Sequence, residues 1–451
     1  MVTPLQKSAV MIRPRPAAAS SSPRRLLAAF FSVGLAVGVP ALGSVACGAA
    51  DTGAQPGAAD AANERTDTSL PTGSAPDAAI VDAGSSGNDG ASSTPPPPFD
   101  SGPVGDASCP FGGGAANRLS VSGTKILGPS GQPIALRGWN WGQWGSVQPQ
   151  DGADNRAQGA NVVRIPLRWW GQYDNDQPNT PIAEKTDSYI DTPPYVDQGH
   201  LDTLDAMIQE AACQGLWIDL FVDSDCGQES AESTSAYCGS TDGGVESFAT
   251  DPVMRARFTA VWQLLVTKYL NQPYIGMYEI LPEPSFDCTS KKNCVRWQDA
   301  PDFYTPIAQS LRAIDARTPL LVGANGGYSE TMVATALIPG IPGLIYTVDL
   351  LNDNAQDPAA LSVVTSFRDS QQVPIFVQQV GVEQATADAG AVATTILADL
   401  DSDDIGWTWW TYRVLKSDQP TGYAPFYQGT DAGTWAENTA WLDLITAHFA
   451  P

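Results

Sequence analysis

From about residue 115 onward, eight short apolar runs recur in order, separated by segments with helical spacing. They are Ile134–Trp139, Asn161–Ile165, Leu216–Phe221, Ile275–Ile280, Leu320–Gly323, Leu344–Val348, Ile375–Gln379 and Ile405–Trp410. All but the last are continuously apolar enough for strands buried on both faces. Between them, Asp251-Pro252 and Asp357-Pro358 each offer a cap and a first-turn proline, and His200–Gln214 carries Leu201, Leu204, Met207, Ile208 and Ala211 at helical spacing. Eight strands alternating with helices predict an α/β fold, a closed (β/α)8 TIM barrel. An open doubly wound sheet is the alternative. It normally opens with a Gly-rich phosphate turn, and Gly138-Trp139-Asn140-Trp141-Gly142 is not one. In a barrel, chemistry sits where strands run into their following loops.

The chain before the barrel divides in two. Residues 1–25 hold Lys7, Arg13, Arg15, Arg24 and Arg25 and no acidic residue; an apolar run from Leu26 to Val39 and then small residues follow. That order describes a secretory signal. Ser44-Val45-Ala46-Cys47 resembles a bacterial lipoprotein cleavage box with Cys47 lipidated, against an ordinary signal cut nearby. Residues 1–47 are therefore expected to be a signal ending at that cysteine. Residues 48–108, rich in Ala, Gly, Ser, Pro and Asp, are expected to be a disordered tether, since they cannot bury enough apolar surface to offset ordering. Residues 109–451 would form the barrel. The expected location is exported, either as an outer-membrane or cell-surface lipoprotein or as a secreted protein, with a lipid anchor as the only membrane contact.

Six further cysteines, Cys109, Cys213, Cys226, Cys238, Cys288 and Cys294, form an even set in an exported chain, which points to disulfides. Proximity favours Cys226–Cys238 and Cys288–Cys294, leaving Cys109 with Cys213; the sequence leaves the pairing open. No histidine lies near any pair, so no metal is expected, and nothing implies a cofactor. The formal net charge of −25 argues against nucleic acid and polyanionic ligands and suits a neutral glycan. It says nothing about oligomeric state.

Two runs end abruptly at polar residues. Ile280-Leu281-Pro282-Glu283-Pro284 ends in a carboxylate, and Pro374-Ile375-Phe376-Val377-Gln378-Gln379 in an amide. Together with Leu136–Gly142, Asn161–Pro166 and Gly406–Trp410, these segments resemble glycoside hydrolase family 5, the cellulase and mannanase group of barrel enzymes. The resemblance spans roughly residues 115–415. It implies that Arg164 is an active-site arginine, Glu283 the acid/base and Trp410 a sugar platform. The family's nucleophilic glutamate falls on Gln379, its asparagine before the acid/base on Pro282, and its strand-three histidine near Phe221. Its histidine and tyrosine after strand six fall near Asp349 and Leu351. His200 and His448 are the only histidines.

A retaining glycosidase needs an anionic oxygen to attack the anomeric carbon, and a neutral amide does this poorly. The expectation is a glycan-binding barrel with weak or no turnover, its partner a polysaccharide or oligosaccharide. An active hydrolase using Glu283 with a relocated carboxylate, Asp349 or Asp223, is the first alternative, and a surface scaffold without a carbohydrate role the second. Trp410, Trp141 and Trp139 are expected to contact sugar. Arg164, facing an amide, is expected to turn to Asp349 or Glu283, unless it serves structural ion pairs inside the barrel.

Overall fold

The computed structural model describes residues 118–142, 147–169, 192–223, 252–282, 300–328, 337–352, 358–414, 422–428 and 434–449. Glu283, Cys47, Cys109, Cys226, Cys238, Cys288 and Cys294, with the expected signal and tether, lie outside these residues. Cys213 is disulfide-bonded.

Each of the eight runs forms a strand: β3 (Arg137–Asn140), β4 (Val162–Arg168), β5 (Trp217–Asp223), β6 (Ile275–Glu279), β7 (Leu320–Tyr328), β8 (Leu344–Leu351), β9 (Ile375–Gly381) and β10 (Gly406–Trp409). They close in the order β10-β3-β4-β5-β6-β7-β8-β9. Every neighbour is parallel, as the alternation with helices requires. The helices are α1 (Asp151–Ala157), α2 (Gln198–Cys213), α3 (Pro252–Lys268), α4 (Ala300–Arg312), α5 (Pro358–Gln371), α6 (Ala389–Ser402) and α7 (Thr439–Thr446). Prolines open α3 and α5, where a missing N–H costs nothing. Asp197 caps α2 by accepting from the His200 backbone N–H, and Asn438 caps α7 through Trp441.

Strand alternation sorts the side chains into two cores. Val163, Ile165 and Leu167 of β4 share one buried cluster with Leu204, Met207 and Ile208 of α2. Burying each such side chain contributes about 1.5–3 kcal/mol. The opposite phase, Leu136, Val162, Trp217, Met277, Leu321, Ile345 and Phe376, fills the barrel floor. A hairpin absent from the expected strands, β1 (Ser120–Ser122) and β2 (Lys125–Leu127), supplies Ile126, and the residue before it Leu119, to this floor cluster. Gly138 makes the β3–β4 approach possible, since a Cβ there would lie 1.8 Å from the Val162 carbonyl oxygen.

A second addition is the small sheet of β11 (Arg413–Val414), β12 (Phe426–Gln428) and β13 (Trp435–Glu437). Its anchor is Arg413, which donates to the fully buried Asp151 at 2.7–2.9 Å and lies over the rings of Tyr412, Phe426 and Trp435. Burial pushes the Asp151 carboxyl up, and Arg413 opposes that rise.

Candidate active site

Strand phase places the site. Thr347 and Asp349 of β8 point to the side opposite Tyr346, Val348 and Leu350, which belong to the helix-facing cluster. Asp349 pairs in register with Gln379, where β9 shifts by one residue. Both side chains are buried at the C-terminal end of the barrel, and the Gln379 amide Nε2 donates to Asp349 Oδ2 at 3.2 Å.

Arg164 of β4 lies in the same interior, 1% exposed. Its Nε and Nη2 donate to the two oxygens of Glu279 on β6, at 2.6 and 2.9 Å. The guanidinium carbon stands 3.6 Å from the centre of the Phe221 ring, and Asp219 Oδ2 is 3.8 Å from Nε. Burial alone would lower the Arg164 pKa. Attraction from Glu279, then from Asp219 and Asp349, outweighs burial and holds the group charged beyond its ordinary range. Burial and the Glu279 charge push Asp219 well up, against the pull of Arg164.

This corrects the expectation for Arg164. Glu279 takes its bidentate hydrogen bonds, and Asp349 contributes only a longer-range attraction. A planar guanidinium prefers a two-oxygen partner within reach, and Glu279 is that partner. The signal was available, since Glu279 interrupts the apolar run Ile275–Ile280 two residues beyond the inward-facing Met277.

Trp139 and Trp141 are corrected as well. Both are buried, at 0% and 1% exposure, in the layer between barrel and helices. The Trp139 indole donates to Gln158 Oε1, and the Trp141 indole to Asn155 Oδ1 on α1, each at 2.9 Å. Two residues apart, they share the outward phase of β3, opposite to Gly138 and Asn140. Trp410 is different. It is half-buried, its backbone N–H donates to the Val380 carbonyl at 2.9 Å, and its ring edge lies over Gly142. Its peptide bond to Thr411 is cis, and the Thr411 hydroxyl donates to the Asn140 carbonyl at 2.9 Å. Asp223 ends β5, the strand diametrically opposite β9, and pairs in register with Arg168.

The structure thus gathers Arg164, Asp349 and Gln379 with Glu279 and Asp219, and leaves Asp223 on the far arc of the rim. The family model described as Cellulase (glycosyl hydrolase family 5) matches residues 127–414, which contain every barrel strand. The chain belongs to glycoside hydrolase family 5. Solved structures agree on the fold of this family 5 barrel. Thermotoga maritima Cel5A in complex with cellobiose aligns at 16% identity and a TM-score of 0.51, over 69% of this chain and 97% of that one. The catalytic domain of Thermobifida fusca endoglucanase Cel5A in complex with cellotetraose gives 18% and 0.53, over 74% and 97%. An endogalactoceramidase gives 14% and 0.54, over 73% and 84%. No curated protein matches the chain.

Proposed function

We propose that this family 5 barrel is an exported protein that binds β-linked polysaccharide or oligosaccharide and cleaves it weakly or not at all. The observation that carries the reading is the Gln379–Asp349 pair. At the position where the family resemblance puts the nucleophile, an amide donates a hydrogen bond to its neighbour and offers the sugar no anionic oxygen. The Arg164 guanidinium, which attracts Asp349, is already held by Glu279 in two hydrogen bonds. Losing a comparable catalytic group costs about four decades of rate. The choice of ligand rests on relatives: the Cel5A structures hold cellobiose, cellotetraose and mannotriose.

The test is titration of the purified protein with cellotetraose and mannotriose, alongside reducing-sugar release from β-glucan and mannan by wild type and Gln379→Glu. Binding without measurable release by wild type, and release gained by Gln379→Glu, is the expected result. Wild-type turnover at the level of an ordinary cellulase overturns the reading.

A second reading keeps a working enzyme in which Asp349 serves as the relocated carboxylate opposite Glu283. The contact of Asp349 with the nucleophile position favours it over Asp223. It requires measurable wild-type hydrolysis that Asp349→Asn abolishes.

A further inference from the structure

The two-residue period carries the inner face of β9 from Gln379 to Gly381, one level nearer the rim. Gly381 pairs in register with Leu351 of β8, as Gln379 does with Asp349 below. A Cβ on Gly381 would stand 2.9 Å from the Trp410 carbonyl oxygen, 2.9 Å from the Tyr423 ring and 3.2 Å from the Leu351 side chain. The Tyr423 ring therefore lies over the strand end directly above the Gln379–Asp349 pair. It arrives from the segment after β11, far from any strand-end motif, and no feature of the sequence singled it out.

Tyr423 is held from several sides. Its carbonyl accepts two indole N–H groups, from Trp409 and from Trp441, each at 3.0 Å. Its hydroxyl accepts from Asn352 Nδ2. Asn352 is fixed in turn in the left-handed region at φ 44, its N–H donating to the Gly381 carbonyl and its Oδ1 accepting from the Glu383 N–H. Yet Tyr423, Asn352 and Leu351 each keep some exposure to solvent. An aromatic ring fixed this firmly but left partly open to solvent is a preorganised contact surface, because little freedom is lost when a ligand covers it.

We propose that Tyr423, supported by Asn352, is a second sugar-binding platform, so that this barrel takes an oligosaccharide spanning Trp410 and Tyr423. The inference rests on the carbohydrate reading given above. The Trp410 ring lies toward β3 over Gly142, while Tyr423 lies toward β8, on the opposite side of β10. Neighbouring strands are about 4.8 Å apart, so a ligand touching both rings spans several strands of rim, which one pyranose does not reach.

Calorimetric titration of wild type, Tyr423→Leu and Tyr423→Phe with cellotetraose and with mannotriose tests this. Leucine keeps apolar bulk over Gly381 while removing the flat ring; phenylalanine keeps the ring and removes the bond to Asn352. Thermal melting of each variant separates lost binding from lost folding. Tyr423→Leu is expected to weaken binding about tenfold with a melting temperature near that of wild type, and Tyr423→Phe to stay within about twofold. Unchanged binding by Tyr423→Leu overturns the platform, as does Tyr423→Phe weakening equally. A wild type that binds neither probe overturns the carbohydrate reading itself, and the platform with it.

Discussion

At the residue scale the pairing of Gln379 with Asp349 governs what repair of the site would look like. Gln379→Glu puts a second carboxylate in hydrogen-bond reach of Asp349, and like charges at that range raise the pKa of at least one member. The carboxylate pair therefore holds a shared proton to higher pH than an isolated carboxylate would. Adding Asp349→Asn removes the repulsion, so the acid limb of the kcat/KM profile should move to lower pH in the double variant than in Gln379→Glu alone. Asp219 offers a second check. Its folded pKa lies above the unfolded value, so its contribution to stability is full below the ordinary carboxylate range and is lost as pH rises through the folded value. Asp219→Asn mimics the protonated form. Its stability should fall less than that of wild type as pH rises above the ordinary carboxylate value of roughly 4, measured by urea unfolding.

Among the elements, the strands were legible in the sequence and the attachments were not. Buried parallel strands must be largely apolar on both faces, so all eight showed as short apolar runs. The floor hairpin β1–β2 and the sheet β11–β13 have strands of two or three residues, too short for any period to register. The site was half legible for a related reason. Arg164, Asp349 and Gln379 sit at or beside the ends of apolar runs, where sequence shows them; the claim of Glu279 on Arg164 depends on pairing across β4, β5 and β6, which a linear pattern does not encode. Trp139 and Trp141 could have been sorted from their shared phase with each other against Gly138. Gly138 itself supports a test at this scale. Gly138→Ala sets a Cβ against the Val162 carbonyl, a backbone atom that cannot give way without separating β3 from β4. Overpacking of this kind costs about 1–3 kcal/mol or more, and soluble yield and far-UV circular dichroism should both fall.

For the whole molecule, the expected lipid anchor at Cys47 yields a prediction independent of the barrel. Cys47→Ser in the full-length chain should shift the protein from the membrane fraction to the soluble exported fraction, read by fractionation and immunoblot, with oligosaccharide binding unchanged. The floor of the barrel sets a further condition on any ligand. Leu119 and Ile126 close that end with Leu136 and inner side chains of β4 to β9, which makes the barrel a cup and not a tube. A polymer cannot be drawn through it; whatever it grips must come in and go out over the same lip, laid across the opening like a rod across a bowl.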